Sequence, residues 1–181
     1  PGVVLAELYE TDLNTPSSRF VYLGVYAPTG PGGDALTAGF VVPGSETHPL
    51  LARAVGPGTG LDGVIGDPEF RITGSSGSIV TNNDDWRNAV IVVDASTAAG
   101  APPLPAGSLD AASRFLVATG AYTMTVTDET SGSGQVLAEI YEINNRMPST
   151  TPVLLVPPVS RTVMAGFYAR FEAMAAGEGP L

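Results

Sequence analysis

The chain reads as an all-β protein, an antiparallel, jelly-roll-like β-sandwich with a partial module on either side. Three observations predict it. Short runs rich in Val, Ile, Tyr, Phe and Thr alternate with clusters of Gly, Pro, Asn, Asp and Ser, which is the pattern of sandwich strands and turns rather than of βαβ units. Glycine (22) and proline (16) are abundant in the 181 residues, yet 44% are hydrophobic, so many turns coexist with enough apolar side chain for a core. Finally, Gly2-Val-Val-Leu-Ala-Glu-Leu-Tyr-Glu10 recurs 132 residues later as Gly134-Gln-Val-Leu-Ala-Glu-Ile-Tyr-Glu142, identical at seven of nine positions. A period of that size is a domain, not a solenoid repeat.

The strands are expected near 19–27, 35–43, 49–55, 68–74, 77–82, 110–118, 121–128 and 134–143. Several alternate: Tyr122, Met124 and Val126 point to one face and Thr123, Thr125 and Thr127 to the other, so one face packs and one meets solvent. Turn chemistry bounds them at Pro28-Thr-Gly-Pro-Gly-Gly-Asp34, Pro57-Gly-Thr-Gly60 and Ser131-Gly-Ser-Gly134. Residues 89–99 fit either a short helix or a further strand before the Pro102-Pro-Leu-Pro105 loop. The repeat sets the boundaries: 1–10 as the last strand of a preceding copy, 11–143 as a complete repeat, and the polar, proline-bearing stretch 144–151 as a linker. Beyond it, Val153-Leu-Leu-Val156 reads as a strand, whereas Met164, Phe167, Tyr168, Phe171 and Met174 sit at helical spacing and by periodicity favour a helix over 163–176.

Charge excludes several partners. The formal charge is −10, and all eight basic residues are arginine, so no basic stripe exists for nucleic acid or an anionic membrane. No cysteine is present, which removes disulfides, thiolate catalysis and cysteine zinc sites together. No run approaches a membrane span, and Pro1 begins in mid-pattern, as a segment of a longer polypeptide would.

Residues 19–143 resemble a repeat domain frequent in large surface proteins of Verrucomicrobia and related bacteria. The resemblance is carried by Ala35-Leu-Thr-Ala-Gly-Phe-Val-Val42, Leu51-Ala-Arg-Ala-Val-Gly-Pro57, Gly66-Asp-Pro68, Asn82-Asn-Asp-Asp-Trp86, Leu104-Pro-Ala-Gly-Ser-Leu-Asp-Ala111 and Gly120-Ala-Tyr-Thr123. It implies an exported, repeated module without assigned catalysis. The second half, through Gly120-Ala-Tyr-Thr-Met-Thr-Val126, is also similar to the pre-peptidase C-terminal domains of secreted bacterial proteases, which are related to carbohydrate- and collagen-binding modules. Residues 152–181 resemble the opening of a bacterial immunoglobulin-like domain through Pro157-Pro158, Ser160-Arg-Thr-Val163 and Ala169-Arg-Phe171. That resemblance implies first strands of an incomplete domain, against the helical periodicity of 163–176.

The sharpest chemical constellation is Asn82, Asn83, Asp84 and Asp85, with Asp67 and Asp62 in nearby loops. Asn82, Asp84, Asp85 and Asp67 are the candidate calcium ligands, because calcium takes six to eight such oxygens. Asn and Asp equally serve ordinary turns, bonding their own backbone, and no EF-hand spacing is present. Apart from this calcium, no cofactor is expected. Trp86 and Tyr122 are the candidate ligand-binding aromatics: with Tyr22 and Tyr26 they would form a sugar-stacking strip if exposed, whereas a buried Trp86 would be a core anchor with its N–H bonded to a loop. His48, the only histidine, falls in a turn without a nucleophile elbow and is expected as an exposed loop residue. Glu139 and Glu142 repeat as Glu7 and Glu10, which reflects duplication rather than a glycosidase dyad. They are expected to face solvent or to pair with Arg53 or Arg71. The glycine-rich 56–63 stretch lacks the lysine of a phosphate loop.

The expected function is thus non-catalytic: a structural or adhesive repeat of an extracellular or cell-surface bacterial protein. Its partners would be neighbouring domains of the same polypeptide, a polysaccharide or a surface protein, with self-association through strand 2–9 as a further route. The alternative is a binding module appended to a secreted hydrolase.

Overall fold

The computed structural model describes residues 21–45 and 47–143, together with the backbone of two short strands, 153–156 and 174–176. Eight strands follow in order: β1 (Tyr22–Thr29), β2 (Leu36–Val42), β3 (His48–Val55), β4 (Pro68–Gly74), β5 (Ile79–Asn83), β6 (Ala111–Val117), β7 (Gly120–Asp128) and β8 (Gly134–Glu142). One helix, α1 (Val90–Ala99), lies between β5 and β6. The strands form two antiparallel four-stranded sheets, ordered β1-β8-β3-β6 and β2-β7-β4-β5. This is the strand order of a jelly roll, so the all-β sandwich expected from the sequence is the fold present.

Each sheet is specified by its hydrophobic pattern. In β7 the alternation works as read: Met124 and Val126 are fully buried, Tyr122 packs against the same core, and the intervening threonines are only partly covered. Strands β3 and β8 differ, because nearly every residue is buried. Leu50, Ala52 and Ala54 of β3, with Val136, Ala138 and Ile140 of β8, face the other sheet and meet Phe70, Ile72, Phe115 and Met124. Their neighbours Leu51, Val55, Leu137 and Tyr141 join a second cluster with Trp86, Val92 and Leu104. A central strand covered on both faces reads as a near-continuous apolar run, and both strands do except at Arg53 and Glu139.

That second cover is α1 with its flanking loops. Val-Ile-Val-Val is β-prone by local propensity, yet the segment is helical because Val92, Ala95 and Ser96 recur at helical spacing and turn one stripe inward. Gly100, with φ 69°, ends the helix; its N–H donates to Thr97 O and that of Ala101 to Ser96 O. The helix alternative for 89–99 is the one the fold adopts.

Two devices tie the sheets at their edges. Thr29 Oγ1 in β1 donates to Val126 O in β7 and accepts from Leu36 N. At the other edge Asn83 Oδ1 accepts the N–H of Ala112, joining β5 to β6.

Strand β9 (Val153–Val156) pairs antiparallel with β10 (Met174–Ala176). The strand expected at 153–156 is therefore present, and 174–176 is strand despite the helical spacing of the apolar residues before it. The remainder of 163–176, the linker 144–151 and the repeated strand 1–10 lie outside the described residues.

Candidate functional site

Three groupings of polar or aromatic side chains bear on function, and each is built on the sandwich frame. The first lies under α1, on the outer face of the β1-β8-β3-β6 sheet. Register places Arg53 of β3 opposite Glu139 of β8, and the two are each only 3% exposed. Arg53 Nε donates to Glu139 Oε2 at 2.9 Å, its Nη2 lies 2.9 Å from the same oxygen, and its Nη1 donates to Pro102 O at 2.5 Å. Glu139 Oε1 accepts from Tyr141 OH at 2.7 Å and from Tyr22 OH at 3.1 Å. The two tyrosine rings lie 4.7 Å apart, tilted by 39°, and the guanidinium sits 5.8 Å from the Tyr141 ring centre. Burial, and then the Glu139 charge, pushes the Tyr141 hydroxyl far above its ordinary range, so it stays a donor. Glu139 is thus ion-paired with Arg53, one of its two expected partners, but it does not face solvent. With both oxygens occupied it has no free lone-pair direction for a substrate proton.

Arg71 pairs across the strands with Thr125 and Asn82 instead. Glu142, the second repeated carboxylate, lies 3.0 Å from His48 Nδ1. This corrects the reading of His48 as an exposed loop residue: it is the first residue of β3, 16% exposed, fixed against the end of β8.

The second grouping is Trp86 and its surroundings. The ring is 5% exposed, its Nε1 donates to Ser108 Oγ at 3.1 Å, and its backbone N–H donates to Asp110 O. This is the geometry of a core anchor. Tyr122 lies elsewhere, stacked on Phe40 at 5.5 Å against the inter-sheet core, while Tyr22 is engaged with Tyr141. With Trp86 buried, Tyr22 packed against the same cluster, Tyr122 against the other and only Tyr26 of β1 exposed, the four aromatics form no exposed common strip. Instead, a groove of about 240 Å³ opens between α1 and the following loop, lined chiefly by Trp86, Val92, Val93, Ala101, Pro103 and Leu104. Val90 and Ile91 stand exposed on the same helix.

The third grouping is acidic. Burial and the charges of Asp85, Asp128 and Asp84 raise the Asp67 pKa, so these carboxylates do gather at one end of the sandwich. The fold uses much of their bonding capacity. Asp84 Oδ1 accepts the N–H of Asp85, and Arg87 lies 3.7 Å from Asp85 Oδ2. Asn83 donates to Asp85 O while accepting from Ala112 N. Asp128 Oδ1 accepts from Thr130 and Gly132, and its Oδ2 from Asp67 N. Burial raises the Asp128 pKa, but those donors outweigh it and hold the carboxyl below the ordinary aspartate range. Asn82 is exposed on β5. Among the described residues, no three His, Cys, Asp or Glu side chains are grouped as a metal site.

Sequence reasoning assigned no role to Asp110, which is fully buried and whose Oδ1 accepts the N–H groups of Gly56 and Gly58. It thereby fixes the loop after β3. Its one visible signal was an acid placed directly before the small, apolar start of β6.

No protein-family model, curated protein or solved structure matches the chain. Among the described residues no helix is long and apolar enough to cross a membrane.

Proposed function

We propose that this chain is a non-catalytic structural and adhesive repeat module of an extracellular or cell-surface bacterial protein, joined in series to neighbouring domains. The observation that carries the reading is the use made of Glu139, the carboxylate repeated as Glu7. Both of its oxygens are taken up by Arg53 and two tyrosines beneath a covering helix, an arrangement suited to cohesion and unsuited to proton transfer. The domain-length repeat and the family resemblance of 19–143 support the serial arrangement and the exported setting. Beads coated with the protein are expected to be retained on bacterial polysaccharide or on protein-coated surfaces. Turnover of any member of an ester, glycoside and peptide substrate panel would overturn the non-catalytic reading.

The groove beside Trp86 favours a second reading, a binding module that serves a secreted hydrolase. It is concave and mainly apolar, as ligand sites are, and at about 240 Å³ it has room only for a small apolar group. Retention lost in Val93→Asp, with an unchanged melting curve, would move the assignment to this reading. Retention unaffected by that change would leave it with the adhesive surface.

A further inference from the structure

Strand β8 is the last strand of the sandwich and fills the slot between β1 and β3. What the slot demands can be read position by position. Gly134 is required because a Cβ there would meet Gly63 O at 2.8 Å and Ile65 N at 2.9 Å. Val136, Leu137 and Ala138 are buried against the two cores. Glu139 meets Arg53, the Tyr141 ring packs against that of Tyr22, and Glu142 reaches His48. Residues 2–10 carry the same amino acid at every one of these seven positions. The two that differ are undemanding: Ile140 becomes Leu8, still aliphatic, and Gln135 becomes Val3 where the bonds to Gly63 and Ile65 are made by the backbone.

We propose that residues 2–10 are a second occupant of this slot, able to replace β8 between β1 and β3 of their own chain by folding back on β1 as a hairpin. The direction is right. β8 runs antiparallel to β1 with Tyr141 opposite Tyr22, and Glu142 N donates to Val21 O. With Glu10 at the position of Glu142, residues 11–20 are left to close the connection, and a loop of that length closes at modest entropic cost. Being tethered, the segment reaches its own slot at a far higher effective concentration than a second molecule offers. The resident β8 holds the advantage of a shorter connection fastened by Asp128. One slot therefore has two fitting strands, and in a tandem array each unit could re-pair with the strand before it. The exchange does not depend on whether the module adheres to anything.

The test uses the full chain and places a carboxylate at the buried position of either strand. Ala138→Asp disables β8 and is expected to retain a cooperative melt and buried-tryptophan emission from Trp86, because residues 2–10 take over. Ala6→Asp is expected to behave as the parent, and the double variant to lose the transition. Size-exclusion chromatography should show the Ala138→Asp protein as a monomer. The proposal is overturned if Ala138→Asp unfolds as fully as the double variant, if both remain folded, or if Ala138→Asp is folded only as a dimer.

Discussion

The outer faces of the two sheets have been put to opposite uses. On the β2-β7-β4-β5 sheet, register aligns Thr37, Thr125, Arg71 and Asn82 in one row across all four strands, with Thr123 beside Thr73 in the next. This face is largely polar and open to water, and where its side chains do pair, as Thr127 donates to Glu69, burial does not force it. On the β1-β8-β3-β6 sheet the equivalent face is covered by α1 and its loops, so the charges placed there are desolvated and must satisfy one another. The same strand geometry thus yields a tolerant surface on one side and a demanding polar core on the other, and the difference lies in what covers it.

If that contrast is right, the largest loss should come from breaking the covered pair. With residues 2–10 disabled by Ala6→Asp, so that Glu7 cannot take its place, Glu139→Ala leaves a buried guanidinium unpaired and should cost about 3–5 kcal/mol in urea unfolding, whereas replacing both members, Arg53→Met with Glu139→Leu, should recover most of it. A double variant no more stable than Glu139→Ala would show that the pair does not act as a unit. Next, Asp110→Ala strips the acceptor from Gly56 and Gly58 and should cost about 3 kcal/mol, read the same way. On the open face Thr125→Val should change stability by less than about 0.5 kcal/mol, and a larger loss would mean that this face, too, is covered.

The smallest effect concerns the acidic end. Burial and neighbouring carboxylates raise the Asp67 pKa, so its charged form is disfavoured in the fold, and stability is gained as pH falls through that raised value. Asp67→Asn should therefore stabilise the protein at pH 7, by no more than about 0.5 kcal/mol for so accessible a group, and the advantage should shrink in acid. An advantage that is constant down to low pH would point to something other than charge.

The same contrast explains what could be read in advance. The alternation of β7 is a local pattern, and it placed Met124 and Val126 inside and the threonines outside. Turn glycines and prolines bounded all eight strands to within a few residues, because their backbone restrictions are local as well. The runs around Leu51 and Leu137 also marked strands, but a run apolar on both faces does not say what covers the second one. Residues 89–99 stayed open between helix and strand for the same reason: their inward stripe has meaning only against the sheet that receives it. At the candidate site, Arg53 could be named as a partner of Glu139, yet its burial, the two tyrosine hydroxyls and Pro102 O come from four separate stretches of chain. By sequence Trp86 suits both a platform and an anchor, and only Ser108 and the surrounding cluster distinguish them.

The sequence by itself determined the all-β class, the eight strands, the side to which the alternating ones turn and the near-identity of residues 2–10 to the sequence of β8, since these rest on period, turn chemistry and identity along the chain. Only the tertiary structure decided the strand order, the helix laid over β3 and β8, and the pairing of Arg53 with Glu139 and His48 with Glu142. Those depend on which distant segments exclude water together, and the energy of a charge or a β-prone helix is settled by that exclusion rather than by its neighbours in sequence.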